Sequence, residues 1–161
     1  MKCNIKERKI IMFFLLIAGS RGYVDNVTFD RIVGENIGPE CLLHEVVIVE
    51  GGAQGTDRMA RHYAISRGLM LDEFKAEWSK YGRAAGPKRN DQMTEWVKEN
   101  TRGHDEGMAL FFWDGESKGT AQCIRSARKR GIRVRIWNTK THEYMEEKEE
   151  PHYEHDHNDS Y

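Results

Sequence analysis

The chain has 161 residues, 39% of them hydrophobic and 32% charged, with a formal net charge of −1. That length suits one domain with its own core and is too short to expect two. No apolar run approaches the ~20 residues of a membrane-spanning helix, so no membrane partner is expected.

The three cysteines, Cys3, Cys41 and Cys123, are odd in number and lack metal-type spacing. They argue for a reducing, cytoplasmic compartment rather than a disulfide framework. The charge is unevenly placed. Residues 141–161 hold eight acids and one lysine, a local net of −7, whereas the other 140 residues hold 24 basic and 18 acidic groups, a net of +6. A basic folded part favours anionic partners, although solvated helix faces account for such charge equally well.

In chain order, residues 1–9, "MKCNIKERK", form a basic extension ahead of "IIMFFLLIAGSRG", Ile10 to Gly22. Basic head, apolar run and the small residues Ala18 and Ser20 follow the pattern of a secretory signal. The same letters spell a buried strand ending in a glycine turn. Cleavage after Ser20 would remove that strand and most of its loop from a domain whose other loops are intact. Retention is therefore the expectation, with Met12 a plausible alternative start to Met1.

Further strand candidates are "EVVIVEGG" (Glu45–Gly52), the weaker "GLMLDEF" (Gly68–Phe74), "MALFFWDG" (Met108–Gly115) and "GIRVRIW" (Gly131–Trp137). Continuous apolar strands suit a parallel sheet covered on both faces. Helical stripes lie between them: Met59, Ala60, Tyr63 and Ala64; Met93, Trp96 and Val97, with Asn90 at the helix start; and Cys123, Ile124 and Ala127, closed by basic residues and Gly131. Alternating strands and helices predict an α/β fold, a doubly wound sheet in a single domain over 10–138. Residues 139–161 form an acidic, His-rich tail with no apolar period, expected to be disordered. Its His152, His155 and His157 match no structural metal site, so no metal is expected.

Ligands of such sheets sit beyond the carboxyl ends of the strands. Three glycine loops fall there: Gly19-Ser20-Arg21, "GGAQGTD" (Gly51 to Asp57, with Gly52 and Gly55), and "DGESKGT" (Asp114 to Thr120, with Ser117 and Gly119). Glycine lets backbone N–H groups approach a phosphate, and the helix that follows adds partial positive charge. Ser20, Thr56, Ser117 and Thr120 add hydroxyls, and Arg21 a forked donor. None is a P-loop or a spaced dinucleotide fingerprint, and each alone is more often a mere connection than a ligand site. Asp57 serves either the ligand or the dipole of its own helix. A fourth segment, Phe74 to Met93, offers Trp78 and Tyr81 for stacking with Arg83, Lys88, Arg89 and Asn90 nearby, a mix that suits a base-plus-phosphate ligand. Trp78 also has a bland reading as core.

In order along the chain, "GSRGYVD", "GGAQGTD", "EWSKYGRAAGPKRNDQM" and "FFWDGESKGTAQCIRSARKRGIRVRI" closely resemble the SLOG superfamily, in its YspA/YpsA-related (cpYpsA-related) branch. The resemblance spans Ile11 to Trp137, and Ala85, Gly86, Pro87, Arg89, Asn90 and Met93 are its most specific run. It implies a Rossmann-like fold that senses or sequesters a nucleotide or nucleotide-derived small molecule, as in phage and bacterial conflict systems, with no cofactor. The implied ligand residues are Gly19, Ser20, Arg21, Gly51, Gly52, Gly55, Asp57, Arg89, Asn90, Ser117, Gly119 and Thr120. Glu50 departs from the family pattern by adding charge beside the double glycine, and Lys75 and Glu77 replace the Pro and Asp of a P-A-D-W signature. Related phosphoribohydrolases, the Lonely Guy enzymes, carry P-G-G-x-G-T-x-x-E. Here P-G-G is missing and Cys123 stands where the glutamate would be, so the expectation leans away from an enzyme. Glu50 or Asp57 would have to replace that carboxylate for N-glycosidic cleavage. The resemblance to DNA-processing protein A keeps single-stranded DNA as a further alternative, and a homo-oligomer stays open.

Overall fold

Strand β1, Ile11–Gly19, is the centre of the molecule. Its residues alternate between two cores. Phe13, Leu15 and Ile17 point to one face and Phe14, Leu16 and Ala18 to the other, and none is more than 7% exposed. Burying such a side chain stabilises by about 1.5–3 kcal/mol relative to exposure. That is why the run reads as continuously apolar: both faces of the strand are covered. In this computed structural model the described residues are 10–38, 44–103 and 105–146, with only the backbone of His44. The extension 1–9, Cys3, Cys41 and the three tail histidines lie outside them.

β1 pairs in parallel with β2 (His44–Glu50) and with β4 (Glu106–Trp113). β3 (Met70–Glu73) adds to β2 and β5 (Arg133–Asn138) to β4, both parallel. A short antiparallel β6, Glu143–Tyr144, completes the order β3-β2-β1-β4-β5-β6. The strand order reverses between β1 and β4, so their carboxyl ends diverge into a crevice there. The expected single α/β sheet, mostly parallel and wound on both faces, is what the chain forms.

Helices α1 (Asn26–Ile37) and α2 (Thr56–Arg67) cover one face. Helices α4 (Ala85–Asn100) and α5 (Lys118–Lys129) cover the other, and a four-residue α3 (Trp78–Tyr81) with a 3₁₀ turn, Gly82–Ala84, leads into α4. The α2 stripe Met59, Ala60, Tyr63 and Ala64 is buried as expected, and so are Cys123, Ile124 and Ala127 of α5. Trp96 is not core with Met93 and Val97. It is 37% exposed and donates its indole N–H to Asp72 Oδ2 at 2.9 Å.

Three expectations need correction. The sequence reading contains no α1, yet Asp25 caps it by accepting from the Thr28 N–H at 3.1 Å, and Phe29, Ile32, Val33 and Ile37 bury one stripe. β-Branched residues and Gly34 inside the helix mask that stripe as a propensity signal. Helix α4 starts five residues before Asn90. Pro87 is its third residue, where no intrahelical donor is required, so proline does not delay the start. Finally, the tail does not begin at 139. Tyr144 of β6 packs edge-on against Trp137 at 5.1 Å, accepts from Asn36 Nδ2 at 3.0 Å and donates to Glu35. One aromatic anchor holds a strand too short to show a period.

Candidate functional site

A cavity of about 340 Å³ opens at the carboxyl ends of β1 and β4. It gathers nine of the thirteen predicted residues: Gly19, Arg21, Asp57, Trp78, Arg89, Asn90, Ser117, Gly119 and Thr120. An adjoining cavity of about 410 Å³ lies over the β2–α2 loop, takes in Gly51 and Gly52, and shares Arg21, Trp78 and Arg89 with the first. Ser20 and Gly55 line neither. Sequence reasoning missed Ala18, Ala53, Gly86, Pro87 and Cys123 in the first, and Gln54, Lys75 and Ala76 in the second. Gly86 and Pro87 stood in the specific A-G-P run, which was the signal available for them.

The β2–α2 loop is satisfied from within. The Asp57 carboxylate accepts from the N–H groups of Ala53, at 3.2 Å, and Gly51, occupying the concavity that an external anion would need. The Thr56 N–H and Oγ1 both reach the Ser20 carbonyl, at 3.4 and 3.1 Å. Gly55, at φ +70°, and Gly51 are glycine for packing. A Cβ on the first would strike the Ser20 and Arg21 backbone, and on the second the Arg89 guanidinium. Ser20 donates its N–H to the Phe112 carbonyl at 3.0 Å, and its Oγ is buried with no partner among the described residues. Ser20, Gly51 and Gly55 thus serve the packing of the loops around the cavities, and of the three only Gly51 lines one.

The β4–α5 loop is open. Asp114 Oδ1 accepts from the N–H groups of Glu116 and Ser117, shaping the turn. The Ser117 hydroxyl makes no cap bond, and Ala121 is the first residue to close back, onto the Ser117 carbonyl at 3.0 Å. The N–H groups of Gly119 and Thr120 are therefore left for another acceptor. A Cβ on Gly119 would meet nothing within 4 Å, since that residue faces the cavity. Partial positive charge at this helix end favours an anion there.

Arg89 is spent on the protein. Its Nε donates to Asn90 Oδ1 at 2.9 Å and its Nη1 to the Gly51 carbonyl, with Asp57 Oδ2 at 4.0 Å. Asn90 in turn donates to the Gly119 carbonyl at 3.3 Å and to Gln122 Oε1 at 2.8 Å. The Arg-Asn pair ties α4 to both loops, so its side chains set the cavity's shape. Arg21 is the exposed cation of the site and lies 5.5 Å from the Trp78 ring centroid. Trp78 is 50% exposed, so it is a free stacking surface and not core. It rests against Gly86, where a Cβ would stand 3.3 Å from its ring.

Behind the double glycine, Glu50 is fully buried and its carboxyl is pushed up to about 8, first by burial and then by the charges of Asp57 and Glu73. Glu50 accepts from the Gly52 N–H at 2.5 Å and pairs with Glu73. Glu73's partial burial pushes its own carboxyl up, but the hydrogen bonds from Glu50 and Lys75 outweigh that and hold it below the usual range. Glu50 is the acid of the pair and Glu73 the base. Glu50 therefore brings a proton, not a negative charge, next to the loop at neutral pH. Burial raises Asp57 as well, against the pull of Arg89. Cys123 lines the cavity, but burial lifts its thiol to about 12, so it is neutral there.

A doubly wound sheet with its cleft at the switch point, a helix N-terminus open into that cleft and an indole at its rim define a Rossmann-like α/β protein. The family model described as the YspA, cpYpsA-related SLOG family matches residues 14–81. The Gene 61 protein of Mycobacterium phage D29 is 34% identical over 132 residues, covering 74% of this chain and 92% of the relative. The chain belongs to the YspA, cpYpsA-related SLOG family, whose membership suggests a nucleotide-related ligand. No helix among the described residues is long and apolar enough to cross a membrane.

Proposed function

We propose that the protein binds a nucleotide or nucleotide-derived small molecule in the 340 Å³ cavity, as a sensor or sequestering module. The observation that carries this reading is the open N-terminus of α5 inside a cleft walled by Arg21 and Trp78. A phosphate would sit on the N–H groups of Gly119 and Thr120 with the Ser117 and Thr120 hydroxyls beside it, and a base would stack on Trp78. Arg21 reaches both parts of such a ligand. Binding is favoured over N-glycosidic cleavage because the cavity's acid, Asp57, is engaged by Arg89 and backbone donors, while Cys123 supplies only a neutral thiol. A relative carried by a phage fits a role in conflict between phage and host.

Calorimetry with AMP on the intact chain tests this, alongside chromatography for released adenine. Saturable binding without adenine release is the expected outcome. Arg21→Ala should weaken AMP by about 10-fold or more, the value of a charge-assisted hydrogen bond near 1.5–3 kcal/mol. Absence of binding sinks the proposal, and adenine release turns it into the hydrolase reading. Tighter, steeply salt-dependent binding of an oligonucleotide would make DNA the ligand instead.

A further inference from the structure

The 410 Å³ cavity over the β2–α2 loop is not needed by a nucleoside monophosphate, and its chemistry differs from that of its neighbour. We infer that it is a second anion subsite, so that the ligand is a nucleotide bearing a second phosphoryl group. The inference rests on the nucleotide reading of the first cavity and extends it.

Three observations converge. First, each cavity alone sits near the lower end of the roughly 300–1,000 Å³ found for small-molecule sites, while the two share Arg21, Ala53, Trp78 and Arg89 as common walls. A ligand that fills only the first leaves Arg21 with one side facing empty space. Second, the lining of the second cavity contains the cations Arg21, Lys75 and Arg89 and no carboxylate, whereas the first contains Asp57. Lys75 is a solvent-exposed member of this set. Its side chain is 79% exposed, and its ion pair to Glu73 Oε1 at 3.3 Å is of the surface kind worth ~1 kcal/mol or less, so it can turn to an arriving anion. Third, the donors nearest Glu50 and Asp57 are already taken: Gly52 N–H by Glu50, Ala53 N–H by Asp57. Recognition in this cavity falls to side chains, Lys75 and Gln54, with Arg21 at the boundary. Flexible cationic and amide side chains over glycine suit a phosphoryl oxygen, which accepts from any direction, better than a planar base.

Two chemistries supply the second group, an extended phosphate chain or a phosphate elsewhere on the sugar, and the probes separate them. Calorimetry compares AMP, ADP, adenosine 3′,5′-bisphosphate and inorganic pyrophosphate on the intact chain and on Lys75→Gln and Gln54→Glu. At least one doubly phosphorylated nucleotide should bind about 10-fold or more tightly than AMP, and Lys75→Gln and Gln54→Glu should each erase most of that gain while leaving AMP within about twofold. Failure of AMP alone, with pyrophosphate binding lost in Lys75→Gln, would remove the first-cavity reading and keep the second subsite. Equal affinity for AMP, ADP and the bisphosphate overturns the inference while leaving the first reading intact. A gain that survives in both variants overturns it too.

Discussion

Two loops of this protein are written almost alike. Each follows a parallel strand, carries a Gly-Thr pair and opens a twelve-residue helix: Gly55-Thr56 as the N-cap and first residue of α2, and Gly119-Thr120 in the first turn of α5. They are used in opposite ways. At α2 the protein supplies its own anion, the Asp57 carboxylate, and its own carbonyl, that of Ser20. At α5 the corresponding donors face a cavity. Glycine is compulsory in the first because backbone and guanidinium leave no room for a Cβ, and in the second space is left over. A glycine loop is therefore evidence of close approach, and what approaches has to be found in three dimensions.

The largest test of this contrast is Gly119→Asp. A carboxylate in the first turn of α5 suits the helix dipole and meets no steric obstacle, so melting temperature should hold or rise slightly. The same charge about 5 Å from a bound phosphate costs about 3 kcal/mol at an effective dielectric constant near 20, which is about 100-fold in AMP affinity. Calorimetry and a melting curve on one preparation read both. Loss of stability, or unchanged affinity, would mean that the α5 end is not the open one.

Glu50→Gln probes the closed loop from behind. Glu50 keeps its proton in the folded chain up to about pH 8, whereas unfolded it releases the proton near 4.5. The folded state then holds more protons between those values, so this group's contribution is full below about pH 4.5 and is lost as pH rises to about 8. At ~1.36 kcal/mol per pH unit the loss by pH 7 is bounded near 3 kcal/mol. Glutamine keeps the shape, accepts from the Gly52 N–H and donates to Glu73 without titrating. We expect it to raise stability at pH 7 by about 2 kcal/mol and to flatten the curve between pH 5 and 8, as read by urea unfolding across pH. A parallel pair of curves would show that Glu50 is ionised in the fold, and a second negative charge would then stand behind the closed loop beside that of Asp57.

The sheet was legible because both its faces are covered: five apolar runs gave five parallel strands. The cleft was legible as a set of strand ends, since topology brings Gly19, Arg21, Ser117, Gly119 and Thr120 to one edge. What the letters did not disclose was the distribution of partners. Arg89 and Asn90 look like ligand residues in sequence, and the fold spends them on Gly51, Gly119 and Gln122, residues about 30–40 positions away. Glu50 looks like an added negative charge, and only its burial against Glu73 makes it an acid. Gln54 sits in GGAQGTD as an unremarked letter and Lys75 only as a departure from a signature, and they come together because β3 ends beside the β2–α2 loop. Local pattern predicts elements well, while donor and acceptor assignment depends on contacts between distant segments.

The finest discrimination between the two loops comes from their matched threonines. Thr56 is fully buried and donates to the Ser20 carbonyl at 3.1 Å, while Thr120, 5% exposed, donates to the Ser117 hydroxyl at 3.2 Å and lines the cavity. Valine preserves the shape of each and removes only the hydroxyl. In Thr56→Val the Ser20 carbonyl keeps the Thr56 and Tyr23 N–H groups, at 3.4 and 3.2 Å, so the cost should be about 1 kcal/mol of stability, with AMP affinity unchanged. In Thr120→Val the hydroxyl lost is one that a bound phosphate would use, whereas Ser117 Oγ loses only the hydrogen bond it accepts from Thr120 and can still serve the ligand. Affinity should fall about 3- to 10-fold while stability stays within about 0.5 kcal/mol. Equal loss of stability in both variants would erase the distinction between a loop that binds its own protein and one that waits for a ligand. Loss of affinity in both would move the phosphate toward α2, and Asp57 would then have to leave the backbone donors it now holds.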